Sequence, residues 1–118
     1  MKKETIYFQN LNLEITYYIG KNAKDNFDVI DMGNPADIWF HIANCSSCHV
    51  VMILSTIENI TSKIYNTILK RGALLCKENT KKMVSLRNVD ITYTTIQNVQ
   101  KLKTLGSVHI QNAKTITI

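Results

Sequence analysis

The chain is poor in the residues that break or brace small folds: its 118 residues hold one proline, four glycines and three cysteines. So little proline and glycine leaves no stretch composed like a flexible linker, and neither a low-complexity tract nor a repeat at a fixed period interrupts the sequence. Three cysteines make no disulfide framework, and the start Met1-Lys2-Lys3-Glu4 leads into alternating residues rather than a secretory apolar segment. A reducing setting, cytoplasmic or nuclear, is therefore expected, with the cytoplasm as the first choice. No apolar run approaches the roughly 20 residues of a membrane helix. With 45% apolar residues, the expectation is one domain over residues 1–118, able to bury a core of its own.

Negative charge is scarce in the second half. Residues 1–59 carry four basic and seven acidic side chains, a net charge of −3, whereas residues 60–118 carry ten basic ones against Glu78 and Asp90 alone, a net charge of +8. A polyanion is the natural partner of such a half, although lysines on a helix and its neighbours also serve as plain solvated charge.

Periodicity and turn residues outline an α+β chain with a mainly antiparallel sheet, one long central helix and a short N-terminal helix. Thr5 to Phe8 and Leu13 to Ile19 read as strands around an Asn10-Leu11-Asn12 turn. A short helix is expected from Lys24 to Met32, ended by Gly33-Asn34-Pro35. Thr61 or Ser62 can cap the longer helix, which the spacing of Ile64, Ile68, Leu69, Leu75 and Cys76 carries to about Glu78 with a break near Gly72. Beyond it, Met83 to Leu86, Val89 to Thr94, Val108 to Ile110 and Thr115 to Ile118 read as strands, the last two as a terminal hairpin.

Function concentrates in Asp37-Ile38-Trp39-Phe40-His41, followed by Ser46-Ser47-Cys48-His49-Val50-Val51, where the only tryptophan stands beside the most apolar run. With period 2, Ile38, Phe40 and Ile42 share a face suited to a core, and Asp37, Trp39 and His41 share a face suited to a ligand. The run His49 to Leu54 has buried-strand length, so the two segments are expected to pair as a hairpin with His41 near His49. Cys45-Ser46-Ser47-Cys48-His49 also matches the C-x-x-C-H pattern of covalent haem attachment, which needs an oxidising compartment and so fits poorly. Zinc is the next reading for His41, Cys45, Cys48 and His49, but structural zinc sites draw together two separated ligand pairs, and here all four lie in one nine-residue stretch. Small thiols in a loop account for the cysteines best, with no metal and no cofactor.

Together these pieces resemble the NFACT-R domain, found at the C-terminal end of the large NFACT proteins of ribosome-associated quality control and in small stand-alone proteins. The resemblance is carried by Tyr18-Ile19-Gly20-Lys21, Asn26-Phe27-Asp28-Val29-Ile30, Gly33-Asn34-Pro35, the Asp37-x-Trp39-x-His41 spacing with His49 eight residues on, and the closing pieces Asn98-Val99-Gln100-Lys101, Gly106-Ser107-Val108 and Lys114-Thr115-Ile116. Ser46-Ser47 is similar to the small eukaryotic members that contain a coiled coil; a stand-alone domain without that coiled coil is expected.

The resemblance implies an RNA-binding module that works with tRNA or ribosomal RNA and with ribosomal or quality-control proteins. Trp39 would stack on an unpaired base, worth about 1–3 kcal/mol. Asp37, His41, Ser47 and His49 would offer donors and acceptors, and Lys101, Lys103 and Lys114 would hold phosphates. The bland alternatives are a half-buried strand aromatic for Trp39, a turn cap for Asp37 and a pair of histidines that fixes the hairpin. A protein-interaction module docking through strand edges is the contrasting class. A nuclease built on Asp37, His41 and His49 finds no supporting motif, so a non-catalytic role is expected.

Overall fold

Alternating apolar and polar residues produce strands β1 (Lys2–Phe8) and β2 (Leu13–Ile19), which pair in register from Lys2 against Ile19 to Phe8 against Leu13. Their connection is a 3-10 turn at Gln9–Leu11 closed by Asn12, whose φ of 50° lies in the left-handed region that asparagine tolerates. The computed structural model describes all of residues 1–118 and is an α+β fold.

Helix α1 (Ala23–Asp31) follows, its first turn capped by the Asn22 side chain, which accepts the Asp25 N–H at 2.9 Å. Strands β3 (Ile38–Ile42) and β4 (Val50–Met52) pair antiparallel with Trp39 opposite Val51 and Phe40 opposite Val50, as the two apolar runs suggested. Helix α2 (Ser62–Glu78) is capped by Thr61, which accepts the Ile64 N–H at 3.2 Å. After α2 come β5 (Asp90–Thr95), β6 (Val99–Lys101), β7 (Val108–Ile110) and β8 (Lys114–Thr117). The main sheet runs β1-β2-β4-β3-β5-β8 with every neighbour antiparallel, and β6-β7 forms a separate two-stranded ribbon.

The sheet is covered on both faces. One face presents Tyr17, Ile19, Ile38, Phe40, Val50 and Met52 to Ile68, Leu69, Ala73 and Cys76 of α2. Each large apolar side chain buried there contributes about 1.5–3 kcal/mol. The other face presents Trp39 and Val51 to Val29 and Ile30 of α1, with Val99, Val108 and Ile110 of the ribbon closing over them.

Three expectations are corrected. First, α2 does not break at Gly72: the glycine leaves room for the Phe40 ring, whose atoms a Cβ at that position would strike. Second, Met83 to Leu86 is no strand: a 3-10 turn at Lys81–Met83 leads into further turns, and Val84 and Leu86 pair with no strand and stay exposed. Third, β7 and β8 form no terminal hairpin: β7 turns back on β6, where Val108 and Ile110 cover Trp39, and β8 crosses to the sheet edge beside β5.

Candidate nucleic-acid interface

Three rings meet where β3 and β4 run side by side. Trp39 and His41, two residues apart on the same face of β3, stack with centroids 5.6 Å apart and planes 9° from parallel. His49, at the entrance to β4, stands edge-on to both, 5.2 Å from Trp39 and 5.0 Å from His41. The Trp39 indole N–H donates to His49 Nδ1 at 3.2 Å. An indole nitrogen only donates, so Nδ1 of His49 holds a lone pair and the proton of the neutral ring sits on Nε2. His41 has the opposite tautomer. Its Nδ1 lies 2.7 Å from the Ile42 carbonyl, which only accepts, so Nδ1 carries the proton and Nε2 the lone pair.

Both rings stay neutral at physiological pH. Burial lowers the His49 pKa to about 3, with a further push from His41 and a small opposing pull from the Asn26 backbone. Burial also lowers the His41 pKa, partly offset by the Ile42 carbonyl.

The segment between the histidines is held by groups from three elements. Asn26 of α1 accepts the His49 N–H at 3.0 Å through Oδ1, and its Nδ2 donates to the Ser47 carbonyl at 3.4 Å. Ser47 Oγ accepts the Ile42 N–H and donates to the Cys48 carbonyl, both at 2.9 Å. Thr80, just past α2, accepts the Cys48 N–H at 3.3 Å. The Cys48 and Cys76 sulfurs face each other at 4.0 Å as free thiols, and their mutual hydrogen bond with burial drives the Cys76 pKa up. No three histidine, cysteine, aspartate or glutamate side chains converge as a metal-ligand set.

Over this segment lies an open cleft of about 550 Å³. Lys21, Lys81 and Lys82 line it together with His41, Ser47, the start of α1 and Gly106-Ser107 of the β6-β7 loop. No carboxylate lines the cleft, and the three ion pairs of the protein, Met1 to Asp25, Lys24 to Asp28 and Lys101 to Asp31, use none of its lysines. Unpaired cations beside helix N–H groups make a surface for anions.

The residues singled out from the sequence divide into two groups. His41, Ser47 and an edge of the largely buried His49 line this cleft. Trp39, 1% exposed, does not line it and forms the underlying framework with the bulk of the His49 ring, so in this conformation the indole face is closed to a base. Asp37 is completely buried: its carboxylate accepts the N–H groups of Asn34, Leu54 and Ser55 at 2.7, 2.7 and 2.9 Å, tying the turn before β3 to the end of β4. It fixes the turn and does not face a ligand. Lys101 is engaged by Asp31 at 2.7 Å and lies over the Phe27 ring, which fastens the ribbon to α1. Lys103 is exposed beyond β6, and Lys114 borders a separate shallow pocket with Tyr65 and Tyr93. Sequence reasoning missed Lys21, Lys81, Lys82 and Asn26 as site residues. The signals were the Lys81-Lys82 pair shortly after α2 and the presence of Lys21 and Asn26 in two of the pieces that carry the family resemblance.

A family model described as the NFACT protein RNA binding domain matches residues 4–112. The chain belongs to this family. Among relatives of the NFACT RNA-binding domain, coiled-coil domain-containing protein 25 of Mus musculus is 34% identical over 105 residues, covering 87% of this chain and 50% of its own length. Its Dictyostelium discoideum homolog is 34% identical over 96 residues, covering 81% of this chain and 46% of its own length. This NFACT RNA-binding domain thus spans about half the length of the curated relatives it matches. The C-terminal part of the fibronectin/fibrinogen-binding protein from Streptococcus suis shares its fold, with a TM-score of 0.73 at 19% identity over 88% of this chain and 40% of that one.

Proposed function

We propose that this domain binds RNA without catalysis, holding the sugar-phosphate backbone in the cleft between α1, the end of α2 and the β6-β7 loop. The observation that carries this reading is the set of three unpaired lysines, Lys21, Lys81 and Lys82, in a cleft with no carboxylate. Only Ala23, Cys48 and Leu105 give the cleft apolar lining, and Trp39 is sealed beneath it. A wall so polar suits phosphate and ribose better than stacked bases. Ser47 Oγ is committed to backbone partners on both sides and hydrogen-bonds to neither imidazole, which favours binding over a nucleophile-and-base arrangement. A tRNA or ribosomal RNA is the proposed partner, in the cytoplasm and in the translation and quality-control setting that the family resemblance suggests.

Fluorescence anisotropy with labelled tRNA, an unstructured RNA and duplex DNA of equal length, at low and near-physiological salt, tests the proposal. Preferential tRNA binding that survives the higher salt is the expected result. The folded variant Lys21→Ala/Lys81→Ala/Lys82→Ala is expected to weaken binding to every RNA and to flatten the salt dependence by about 0.7–0.9 log units for each phosphate that is no longer neutralised. An unaltered salt slope would remove these lysines from the interface and shift the weight to a protein partner docking on the sheet edges.

A further inference from the structure

The cleft contains one feature that cations and a helix start do not explain, an acceptor. His41 donates through Nδ1 to the Ile42 carbonyl, so its Nε2 offers a lone pair, and no group of the protein hydrogen-bonds to that atom. The only buried side-chain nitrogen or oxygen lacking a partner is Glu4 Oε2, so His41 Nε2 is accessible to solvent, on a residue that lines the cleft. Stacking on Trp39 holds the ring plane, and Trp39 is itself held by its bond to His49. The protein thus fixes both the tautomer and the orientation of the imidazole.

A lone pair repels a phosphate oxygen. A ligand that satisfies both the lysines and this nitrogen has to present an anion and, next to it, a hydrogen-bond donor. In a phosphodiester chain the donor adjoining the phosphate is the ribose 2′-hydroxyl; base amino groups lie farther out and would seek the stacking platform that the sealed Trp39 does not offer. We propose that His41 reads the 2′-hydroxyl of a ribonucleotide whose phosphate rests on Lys21, Lys81 and Lys82, and so distinguishes RNA from DNA. This rests on the reading of the cleft as an RNA-backbone site.

The test uses four single-stranded oligonucleotides of one sequence, carrying 2′-hydroxyl, 2′-fluoro, 2′-O-methyl or 2′-hydrogen sugars, titrated into the unaltered protein and His41→Phe. Fluoro and O-methyl sugars keep the ribose-like pucker but lack the donor, which separates the hydrogen bond from strand shape. The expected result is that the hydroxyl strand binds the unaltered protein up to about 10-fold more tightly than the other three, the scale of one hydrogen bond. In folded His41→Phe that preference is expected to vanish. Equal affinity of all four strands for the unaltered protein, with lysine-dependent binding intact, overturns the role of His41 and leaves the backbone site standing. A hydroxyl preference undiminished in His41→Phe does the same. Binding indifferent to the three lysines overturns both readings.

Discussion

The Trp39 indole donates its N–H to His49 Nδ1 across the β3-β4 pairing, 3.2 Å from nitrogen to nitrogen, so the tryptophan serves the framework of the cleft rather than its surface. Its removal is then a folding defect before it is a binding defect. Trp39→Ala is expected to lose about 3–5 kcal/mol of stability, the usual cost of emptying a buried aromatic site. Trp39→Phe keeps most of the packing and loses the hydrogen bond, with an expected cost of about 1–2 kcal/mol. Urea unfolding of the two variants measures both. A Trp39→Ala protein as stable as the parent would show that the ring is not the keystone of this layer.

Asp37 is expected to be at least as sensitive. Replacing it with alanine strips acceptors from three backbone N–H groups and the Ser55 hydroxyl. A loss of about 3 kcal/mol or more is expected, since charge-assisted bonds contribute about 1.5–3 kcal/mol each and the orphaned donors add their own desolvation cost. The midpoint of thermal unfolding reads the effect.

The alternation of Asp37, Trp39 and His41 against Ile38, Phe40 and Ile42 is legible in the sequence, and it places β3, its partner β4 and the histidine pair correctly. What alternation does not convey is whether the second face of a sheet is wet. Here α1 and the β6-β7 ribbon cover it, and the ribbon stays hidden because Val99, Val108 and Ile110 sit in runs too short to carry a period of their own. Nor does alternation tell which cations share a surface. Lys101, Lys103 and Lys114 belong to strands or loops away from the cleft, whereas Lys81 and Lys82 reach it from a turn whose sequence looks like the approach to a strand.

Acidification is expected to destabilise the domain before its carboxylates titrate. His49 has a folded pKa near 3 against an ordinary 6.5, so between those values the unfolded chain binds the proton that the folded one refuses. Stability from this group is complete above about pH 6.5 and is lost on acidification, by up to about 1.4 kcal/mol per pH unit. The lowered His41 pKa works in the same direction. Urea midpoints at pH 7, 6 and 5 test the slope, and His49→Gln is expected to flatten it. A midpoint that does not move between pH 7 and 5 would mean that the buried imidazole accepts its proton without cost.

Gly72 lies mid-helix, where alanine ordinarily gains about 1 kcal/mol. Here the sign is expected to reverse. The added methyl would meet the buried Phe40 ring, and overpacking of this kind costs about 1–3 kcal/mol. Gly72→Ala should therefore unfold at a lower urea concentration than the parent, and a higher midpoint would show that the ring has room to move aside.

The placement of the single tryptophan also gives the molecule its own optical gauge. All indole emission comes from one site, sealed under the ribbon and hydrogen-bonded to an imidazole that is neutral in the folded state. A blue-shifted band therefore reports the ribbon seated on the sheet. A red shift reports its departure, residue-specific and without any added dye.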